Sequence, residues 1–207
     1  MPTTTWTDDI QPKEEQFKLK KEALLRTAAQ AFNEDGFHKT SLNNLAKRLN
    51  VTKPTLYYYV KDKDDILFEI QHKALVDMHK VLEELSRSSE NGIGKLNYIM
   101  ERYAEVITDD YGRCLVLIGM GALKPQSREK LMQVRRTLNK EVHRLIALGI
   151  EDGSIKPCDI KLTTNALFGA FNWISHWYQD GSAQSPTEVA HYYLKLFANG
   201  MAAVEVE

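Results

Sequence analysis

The sequence predicts an all-α protein of about nine helices, with an N-terminal three-helix helix-turn-helix domain at residues 13–60 and a C-terminal helical bundle at residues 61–207. Apolar residues recur at helical spacing through almost every periodic segment, and no segment alternates apolar and polar residues as a strand does. The chain has 207 residues, of which 43% are apolar and 27% are charged. This composition excludes a disordered chain and suits one domain or two small ones.

The first helix is predicted over residues 13–34. Its apolar residues fall three and four positions apart and form one stripe, which consists of Leu25, Ala28, Ala29 and Phe32. Gly36 follows the stripe, and glycine often closes a helix because it adopts the left-handed backbone conformation without a steric penalty.

A short second helix is predicted next. Thr40 or Ser41 can cap its N-terminus, because a hydroxyl oxygen at that position accepts a hydrogen bond from a backbone amide of the first turn. The helix again has one apolar stripe, which consists of Leu42, Leu45, Ala46 and Leu49.

A tight turn and a third helix complete the predicted helix-turn-helix. Asn50 tolerates a positive φ better than most residues, which suits a turn at residues 50–52. Thr52 is then the N-cap of a helix over residues 53–60, with Pro54 in the first turn, where a missing amide costs nothing. Two apolar side chains of this helix are predicted to point inward, Leu56 and Val60.

The rest of the chain is predicted to consist of longer helices. A fourth helix runs from a cap at Asp62 to about Leu85, and SRSSENGIG at residues 86–94 is the clearest break in the chain. Five further helices are predicted near residues 95–109, 112–123, 126–149, 160–179 and 186–202.

Positive charge is concentrated in the helix-turn-helix, although the whole chain has a net charge of only −1. Between Gly36 and Lys63 there are six lysine or arginine residues and one aspartate, a net charge of +5. Local fields steer a polyanion, and the second helix of a helix-turn-helix enters the major groove of DNA. Helix pairs with tight turns also occur in bundles that bind nothing, so spacing and charge leave both alternatives open.

A resemblance to a known family favours DNA binding. Residues 41–67 read SLNNLAKRLNVTKPTLYYYVKDKDDIL, and this segment strongly resembles the DNA-binding region of the TetR (tetracycline-repressor) family of transcriptional regulators. The resemblance extends back over the first helix, KKEALLRTAAQAFNEDGF, and covers about residues 20–70. The sequence departs from the family pattern at Asn50, where the family usually has glycine, and at Val60, where many members have phenylalanine.

The side chains of the third helix suit contacts with DNA. Lys53 and Thr55 can hydrogen-bond base edges, and Pro54 offers an apolar surface to a thymine methyl group. Tyr57 and Tyr58 can place their hydroxyls on phosphates or stack against sugars and methyl groups. We expect these five residues to contact DNA, as the resemblance also implies.

The helix N-termini supply further candidate DNA contacts. Thr40 or Ser41 at one N-terminus and Lys63 at another are predicted to hold phosphates, and Thr52 at the N-cap of the third helix is also included in the predicted DNA interface. Tyr59 can face DNA or fill the core, because three consecutive helical residues cannot all face one groove.

Aromatic residues are dense in the C-terminal part. Residues 168–197 hold eight of the nineteen aromatics of the chain, namely Phe168, Phe171, Trp173, Trp177, Tyr178, Tyr192, Tyr193 and Phe197. Such density is compatible with a plain core, an interface or a ligand pocket. The resemblance implies that the last two long helices, residues 160–179 and 186–202, pair with those of a second subunit in a homodimer, and that helices four to eight enclose a ligand cavity.

The segments GAFNW and HWY, at residues 169–173 and 176–178, indicate a class of effector. They are similar to segments of family members that regulate fatty-acid, steroid or aromatic-acid breakdown, several of which respond to coenzyme A thioesters. The candidate cavity residues are Tyr103, Ile107, Leu117, Met120, Phe168, Phe171, Trp173 and Trp177. The nearest cations for the phosphates of coenzyme A are Arg102, Arg113, Arg135 and Arg136, each of which could equally be a surface charge.

Other function classes have little support. The sequence has no GxSxG, HExxH or GxxxxGK[ST] motif and its histidines are scattered, so we expect no enzyme, no metal site and no cofactor. Cys114 and Cys158 are predicted to be ordinary thiols. No charge-free stretch reaches the roughly 20 apolar residues of a membrane span, and residues 1–16 do not resemble a secretory signal. We therefore expect a cytoplasmic protein.

These observations predict a homodimeric, ligand-responsive regulator that binds a near-palindromic operator in double-stranded DNA and is released by a small hydrophobic effector such as an acyl-CoA. The main alternative is a helical small-molecule-binding or interaction protein without productive DNA recognition, and an enzyme is the third.

Overall fold

A computed structural model describes residues 13–85 and 87–200 of the chain. This described part contains nine α-helices, which are α1 (Lys13–Asp35), α2 (Leu42–Arg48), α3 (Lys53–Tyr57), α4 (Lys63–Leu85), α5 (Gly92–Thr108), α6 (Asp110–Leu117), α7 (Pro125–Glu151), α8 (Ile160–Trp177) and α9 (Pro186–Asn199). One 3-10 turn, Met120–Ala122, follows α6. The described residues form no β-strand, and none of their helices is long and apolar enough to cross a bilayer.

The first three helices pack around one set of apolar side chains. Leu25 and Phe32 of α1, Leu45 of α2 and Leu56 of α3 each keep no more than 2% of their surface exposed. Full burial of such a side chain contributes about 1.5–3 kcal/mol, and helices as short as α2 and α3 depend on this packing because they are marginal alone. The predicted stripes therefore form the core of the helix-turn-helix.

Helix α4 extends from this core into the C-terminal bundle. Its N-terminal half, with Ile66 and Ile70, packs into the apolar cluster of the helix-turn-helix. Its C-terminal half, with Met78 and Leu85, packs into the second cluster, which belongs to the C-terminal helices. The domain boundary predicted after residue 60 coincides with the turn before α4 and stays a prediction.

Helix α5 is the centre of the C-terminal bundle, because it contacts α4, α6, α7, α8 and α9. Its N-terminus passes very close to the end of α7, where a Cβ atom on Gly92 would lie 2.2 Å from the backbone nitrogen of Gly149. Position 92 therefore requires glycine for these two helices to approach each other, whereas a Cβ atom on Gly149 would instead meet the side chain of Ile155 at 2.4 Å.

Several helix boundaries differ from the predictions, and α5 begins at Gly92, within the segment predicted to be a break. The helix predicted over residues 112–123 begins earlier, ends at Leu117 and is broken at Gly119, whose φ of 67° no continuous helix permits. Helix α3 ends at Tyr57 rather than Val60, although Val60 is buried as predicted. The predicted end of the last helix, at residue 202, lies outside the described residues, as does most of the N-terminal segment that we compared with secretory signals.

Several local predictions are confirmed. Asn50 has a φ of 52°, and Asp62 caps α4 by accepting a hydrogen bond from the backbone amide of Asp65 at 2.9 Å. Both cysteines are free thiols, with Cys114 buried and Cys158 exposed.

We predict that Gly92→Ala lowers the free energy of unfolding by about 1–3 kcal/mol, because the new methyl group meets backbone atoms of α7 and forces two packed helices apart. Denaturant unfolding at one fixed protein concentration measures the change. The matched control is Gly121→Ala, whose Cβ would meet nothing within 4 Å. Equal stability of the two variants would contradict the close approach of α5 and α7.

Candidate functional site

Helix α3 is anchored by its apolar residues and exposes its polar ones. Leu56 and Val60 are 1% and 3% exposed, whereas Tyr57 and Tyr58 are 50% and 73% exposed. Tyr59 is half-buried and packs on Phe17 of α1, with 5.0 Å between the ring centroids. The tyrosine run is thus divided between surface and core, with Tyr59 on the core side.

The exposed face of α3 carries the residue types that read base edges. Lys53, Pro54 and Thr55 are all exposed, and the Lys53 ammonium lies 5.9 Å from the centre of the Tyr57 ring. Thr52 is the backbone N-cap but makes no side-chain capping bond. Its hydroxyl instead hydrogen-bonds that of Thr55 at 2.9 Å, so the two hydroxyls share one surface.

The positive charge of the segment is not all available to a ligand. Arg48 donates to Glu34 and Asp35 of α1, both at 2.8 Å. Four other cations are exposed, and no ion pair is seen for them among the described residues; they are Lys39, Lys47, Lys53 and Lys61. The net charge of +5 counted for residues 36–63 therefore overstates the positive charge available to a ligand. The exposed surface of this segment is still positively charged.

The structure separates the two candidates for the cap of α2. Ser41 is the N-cap, and its hydroxyl accepts a hydrogen bond from the amide of Asn44 at 3.2 Å. Thr40 is only 1% exposed, and its hydroxyl donates to the carbonyls of Ala31 and Gly36 at 3.2 and 3.0 Å. The expectation that the Thr40 side chain reaches a phosphate is wrong, because this side chain is buried and bonded to backbone carbonyls at the end of α1.

Lys63 also has partners that the sequence did not reveal. Its ammonium donates to the carbonyls of Phe37 and Thr40 at 2.7 and 3.0 Å, and to that of His38 at 3.5 Å. It lies 4.3 Å from the centre of the Phe37 ring, and partial burial lowers its pKa. An ammonium has three protons, so this residue links α4 to the α1–α2 turn, and its predicted phosphate contact would have to compete with these bonds.

A cavity of about 110 Å³ lies between α4, α5, α6, α7 and α8. Three residues predicted from the sequence line it, namely Tyr103, Phe168 and Arg135. The Tyr103 and Phe168 rings meet edge to face at 5.2 Å, and burial raises the pKa of Tyr103 to about 12. The remaining lining residues are Leu75, Leu115, Val116, Gly119, Leu138, Asn139 and Asn172.

The other predicted cavity residues do not line this space. Ile107 and Phe171 are fully buried in the core of the bundle, and Met120 packs into the cluster of the helix-turn-helix. Trp173 and Trp177 are 60% and 43% exposed on the outer face of α8. Helical periodicity identified apolar positions correctly but could not distinguish a cavity wall from core or from an exposed face. Leu117 is half-buried and also lies outside the lining.

Sequence reasoning missed the two asparagines of the cavity. Asn172 accepts a hydrogen bond from the Tyr103 hydroxyl at 2.6 Å, and Asn139 lies on the α7 wall. The sequence did contain a signal for Asn172, because this amide lies within the segment GAFNW, among apolar residues at helical spacing. Buried amides need partners, so their presence at a cavity indicates a polar contact there.

Larger openings lie elsewhere, and two of them have a volume of about 460 Å³ each. One is a charged cleft between α1 and α4, with Glu22, Arg26 and Lys73 in its walls. The other is an apolar groove that Leu96 of α5, Leu167 of α8 and Phe197 of α9 help to line. The smaller cavity is the better candidate for a hydrophobic effector, because most of its lining side chains are apolar and its walls include α4 and α6, which both contact the first helix.

Helix α6 joins the cavity to the helix-turn-helix. The Gln71 amide of α4 donates to the carbonyls of Cys114 and Gly119 at 3.2 and 3.1 Å. The Cys114 thiol donates to the carbonyl of Ala29 in α1 at 3.4 Å, and burial raises the pKa of that thiol. A shift of the α6 wall would therefore act directly on α1.

Polar contacts at the other end of α6 strengthen the same connection. The Tyr111 hydroxyl donates to Glu22 of α1 at 2.6 Å, and Lys73 of α4 donates to the same carboxylate. Burial opposes ionisation of Glu22, but the bonds from Lys73 and Tyr111 outweigh it and lower the pKa. Three helices thus share one carboxylate at their junction.

Comparison with known proteins decides the family. The model for the N-terminal domain of bacterial regulatory proteins of the tetR family matches residues 24–70. The model described as the tetracyclin repressor-like C-terminal domain matches residues 89–201, more than half of the chain. The chain belongs to the TetR family.

Relatives of the TetR chain match over most of its length. The fatty acid metabolism regulator protein of Bacillus subtilis (strain 168) is 20% identical over 181 residues, which are 86% of this chain and 93% of that protein. The crystal structure of the TetR family regulator PfmR from Thermus thermophilus is 28% identical, with a TM-score of 0.79, over 86% of this chain and 98% of PfmR. The structure of AibR with isovaleryl coenzyme A and operator DNA is 19% identical, with a TM-score of 0.76, over 86% of this chain and 97% of AibR.

We predict that Lys63→Ala lowers the free energy of unfolding by about 1–3 kcal/mol, because three carbonyls lose a charged donor. Operator affinity is expected to fall as well, since the α1–α2 turn carries the N-terminus of α2. Lys61→Ala, an exposed neighbour, is the control and should change stability by less than about 0.5 kcal/mol. Unchanged stability with a salt dependence reduced by roughly one contact would instead identify Lys63 as a phosphate ligand.

Proposed function

We propose that this TetR-family protein is a ligand-responsive DNA-binding repressor, released from its operator by a small hydrophobic effector such as an acyl-CoA. One observation carries the DNA-binding part of this proposal. The short helix α3 leaves Lys53, Thr55 and Tyr57 exposed, while Leu56 and the following Val60 are buried and fix its position in the core. Exposed groups of these types on a rigid short helix suit the major groove.

The remaining contacts position the protein on the duplex. The exposed hydroxyl of Ser41 can bind a phosphate, as can the exposed lysines Lys39 and Lys47. These contacts contribute affinity without sequence preference and weaken as salt increases. The face of α3 then provides the preference for particular bases.

A dimer follows from the need to bind two half-sites. One subunit presents one recognition helix, and a two-fold axis can place two of them about 34–36 Å apart on one face of the duplex. The exposed stripe of α8 contains Leu162, Trp173 and Trp177, and α9 exposes Tyr192 and Phe197. Large apolar side chains left exposed on neighbouring helices are typical of a protein interface. We propose that these two helices form the homodimer contact.

The acyl-CoA class is supported by the relatives and by the cavity. One relative is a regulator of fatty acid metabolism, and a protein of the same fold is known with isovaleryl coenzyme A and operator DNA. The cavity of this chain joins apolar walls to amides and one guanidinium, which suits an acyl group ending in a polar head. Release requires only that the effector prefers a conformation in which the recognition helices no longer match the groove spacing, with a coupling of about 1–3 kcal/mol.

The alternative functions have less support. A ligand-binding or interaction protein without DNA recognition would not need an exposed reading face on α3. The family and its relatives are transcriptional regulators, and we propose that this chain likewise acts as a regulator in the cytoplasm rather than as an enzyme. Among the described residues no group of three or more His, Cys, Asp or Glu side chains could hold a metal ion.

Substitutions in α3 test the DNA-binding proposal. We predict that Thr55→Ala or Tyr57→Phe weakens binding to the operator, with a cost of about 1–3 kcal/mol and relaxed preference at one base pair for a residue that reads a base edge. Fluorescence anisotropy on the operator and on single-base variants measures both effects. Lys18→Ala, an exposed change on α1, is the control. Unchanged affinity and preference in Lys53→Ala, Thr55→Ala and Tyr57→Phe would refute the assignment of the recognition helix.

A charge on the α8 stripe tests the dimer. We predict that Trp173→Glu makes the protein monomeric at micromolar concentration, because two like charges meet where apolar surface was buried, and that operator affinity falls with it. Analytical ultracentrifugation measures the mass. Leu19→Glu places the same charge on an exposed apolar residue of α1 and should leave the dimer intact. A dimeric Trp173→Glu/Tyr192→Glu variant would exclude this interface.

A further inference from the structure

We propose that the cavity selects a short acyl group of about four or five carbons, with Phe168 setting the upper limit on its length and Arg135 binding the oxygen atoms of its head. This inference rests on the proposed effector response and names the chemical class that the site accepts. The shared chemistry is a short acyl chain that carries a carbonyl or carboxylate oxygen. A free carboxylic acid and a coenzyme A thioester both provide it.

The volume of the cavity limits the length of the acyl chain that it can hold. The space is about 110 Å³, and an apolar cavity of about 150 Å³ in another protein is filled by a single benzene molecule. Most ligand pockets are about 300–1,000 Å³. A four- or five-carbon group therefore fills this space, and a long acyl chain needs more room than the cavity provides.

The packing around Phe168 makes this limit firm. Its ring is held edge to face against Tyr103, and the Tyr103 hydroxyl is held by Asn172. The next aromatic residue along α8, Phe171, is fully buried. Rotation of the Phe168 ring would break its contact with Tyr103, so the ring is held in place in the cavity wall. Val116 of α6 and Leu138 of α7 are also in the lining.

The polar side chains in the cavity lining can bind the head group of the acyl ligand. Arg135 lines the space and is close enough to Tyr103 to affect its pKa electrostatically. No ion pair joins this guanidinium to a carboxylate within the described residues. Asn139 and Asn172 lie in the same lining, and an asparagine amide has two N–H groups to donate. These donors suit an oxygen atom with partial or full negative charge.

The experiment titrates the full-length dimer with a series of ligands of increasing acyl-chain length. The series consists of acetyl-, butyryl-, isovaleryl-, octanoyl- and palmitoyl-CoA, the corresponding free acids, and coenzyme A alone. Calorimetry gives the affinity of each ligand, and anisotropy of a labelled operator gives the release. We expect butyryl and isovaleryl ligands to bind at least roughly tenfold more tightly than octanoyl or palmitoyl ligands.

Three variants test the named residues. Phe168→Ala should shift the preference toward octanoyl ligands by roughly tenfold or more, because the wall that stops the chain is removed. Val116→Phe should shift it toward acetyl ligands, and circular dichroism checks that both variants fold. Arg135→Gln should weaken every ligand with an acyl group by roughly tenfold without changing the preferred length. Lys140→Gln removes an exposed charge from the same helix, away from the cavity, and should change neither.

Each outcome decides one part of the proposal. Tightest binding of palmitoyl ligands by the unaltered protein would overturn the length limit, and an unchanged preference in both Phe168→Ala and Val116→Phe would overturn the role of this cavity. Equal effects of Arg135→Gln and Lys140→Gln would overturn the role of Arg135. If the operator is bound but no acyl ligand binds, the acyl class is wrong and the regulator remains. If the operator is not bound, the proposed function itself fails. Binding of thioesters but not acids, or the reverse, identifies the source of the acyl group.

Discussion

The packing of α6 against α1, α4 and α5 is the constraint on which the rest of the structure depends. It is possible only because α6 turns back sharply on α5, where a Cβ atom on Gly112 would lie 1.9 Å from the carbonyl oxygen of Val106. Residues of α6 then contribute both to the cluster of the helix-turn-helix and to the cavity lining. The helix-turn-helix and the cavity therefore share a wall instead of being joined by a linker.

In the proposed effector response, this shared wall connects the cavity to the helix-turn-helix. Gln71 holds the end of α6 through two carbonyls, and Cys114 and Tyr111 hold its other positions to α1. A typical hydrogen bond contributes about 0.5–1.5 kcal/mol, so rearranging two or three of them is comparable to the coupling of about 1–3 kcal/mol that allosteric regulators use. No large deformation of the bundle is needed for a response of that size.

Positive charge is concentrated in the helix-turn-helix, although the net charge of the whole chain is only −1. Arg48 is neutralised by two carboxylates of α1, and Lys63 is bound by backbone carbonyls. These two cations stabilise the helix-turn-helix, while the exposed lysines around α2 and α3 remain available for the DNA contacts that we propose. In this proposal one basic segment serves both folding and recognition, with different residues for each.

The sequence by itself determined the order of the helices, the turn at Asn50 and the orientation of α3, because helical periodicity, caps and a positive φ are local properties of the chain. It also indicated that Tyr57 and Tyr58 are exposed, since Leu56 and Val60 define the buried side of a helix that short. Only the tertiary structure decided that Thr40 is buried, that Lys63 binds three carbonyls, and that Trp173 is exposed rather than in the cavity. Each of these depends on residues far away in the sequence. A cavity built from five helices is determined by how those helices pack against one another, and no periodicity within a single helix records that packing.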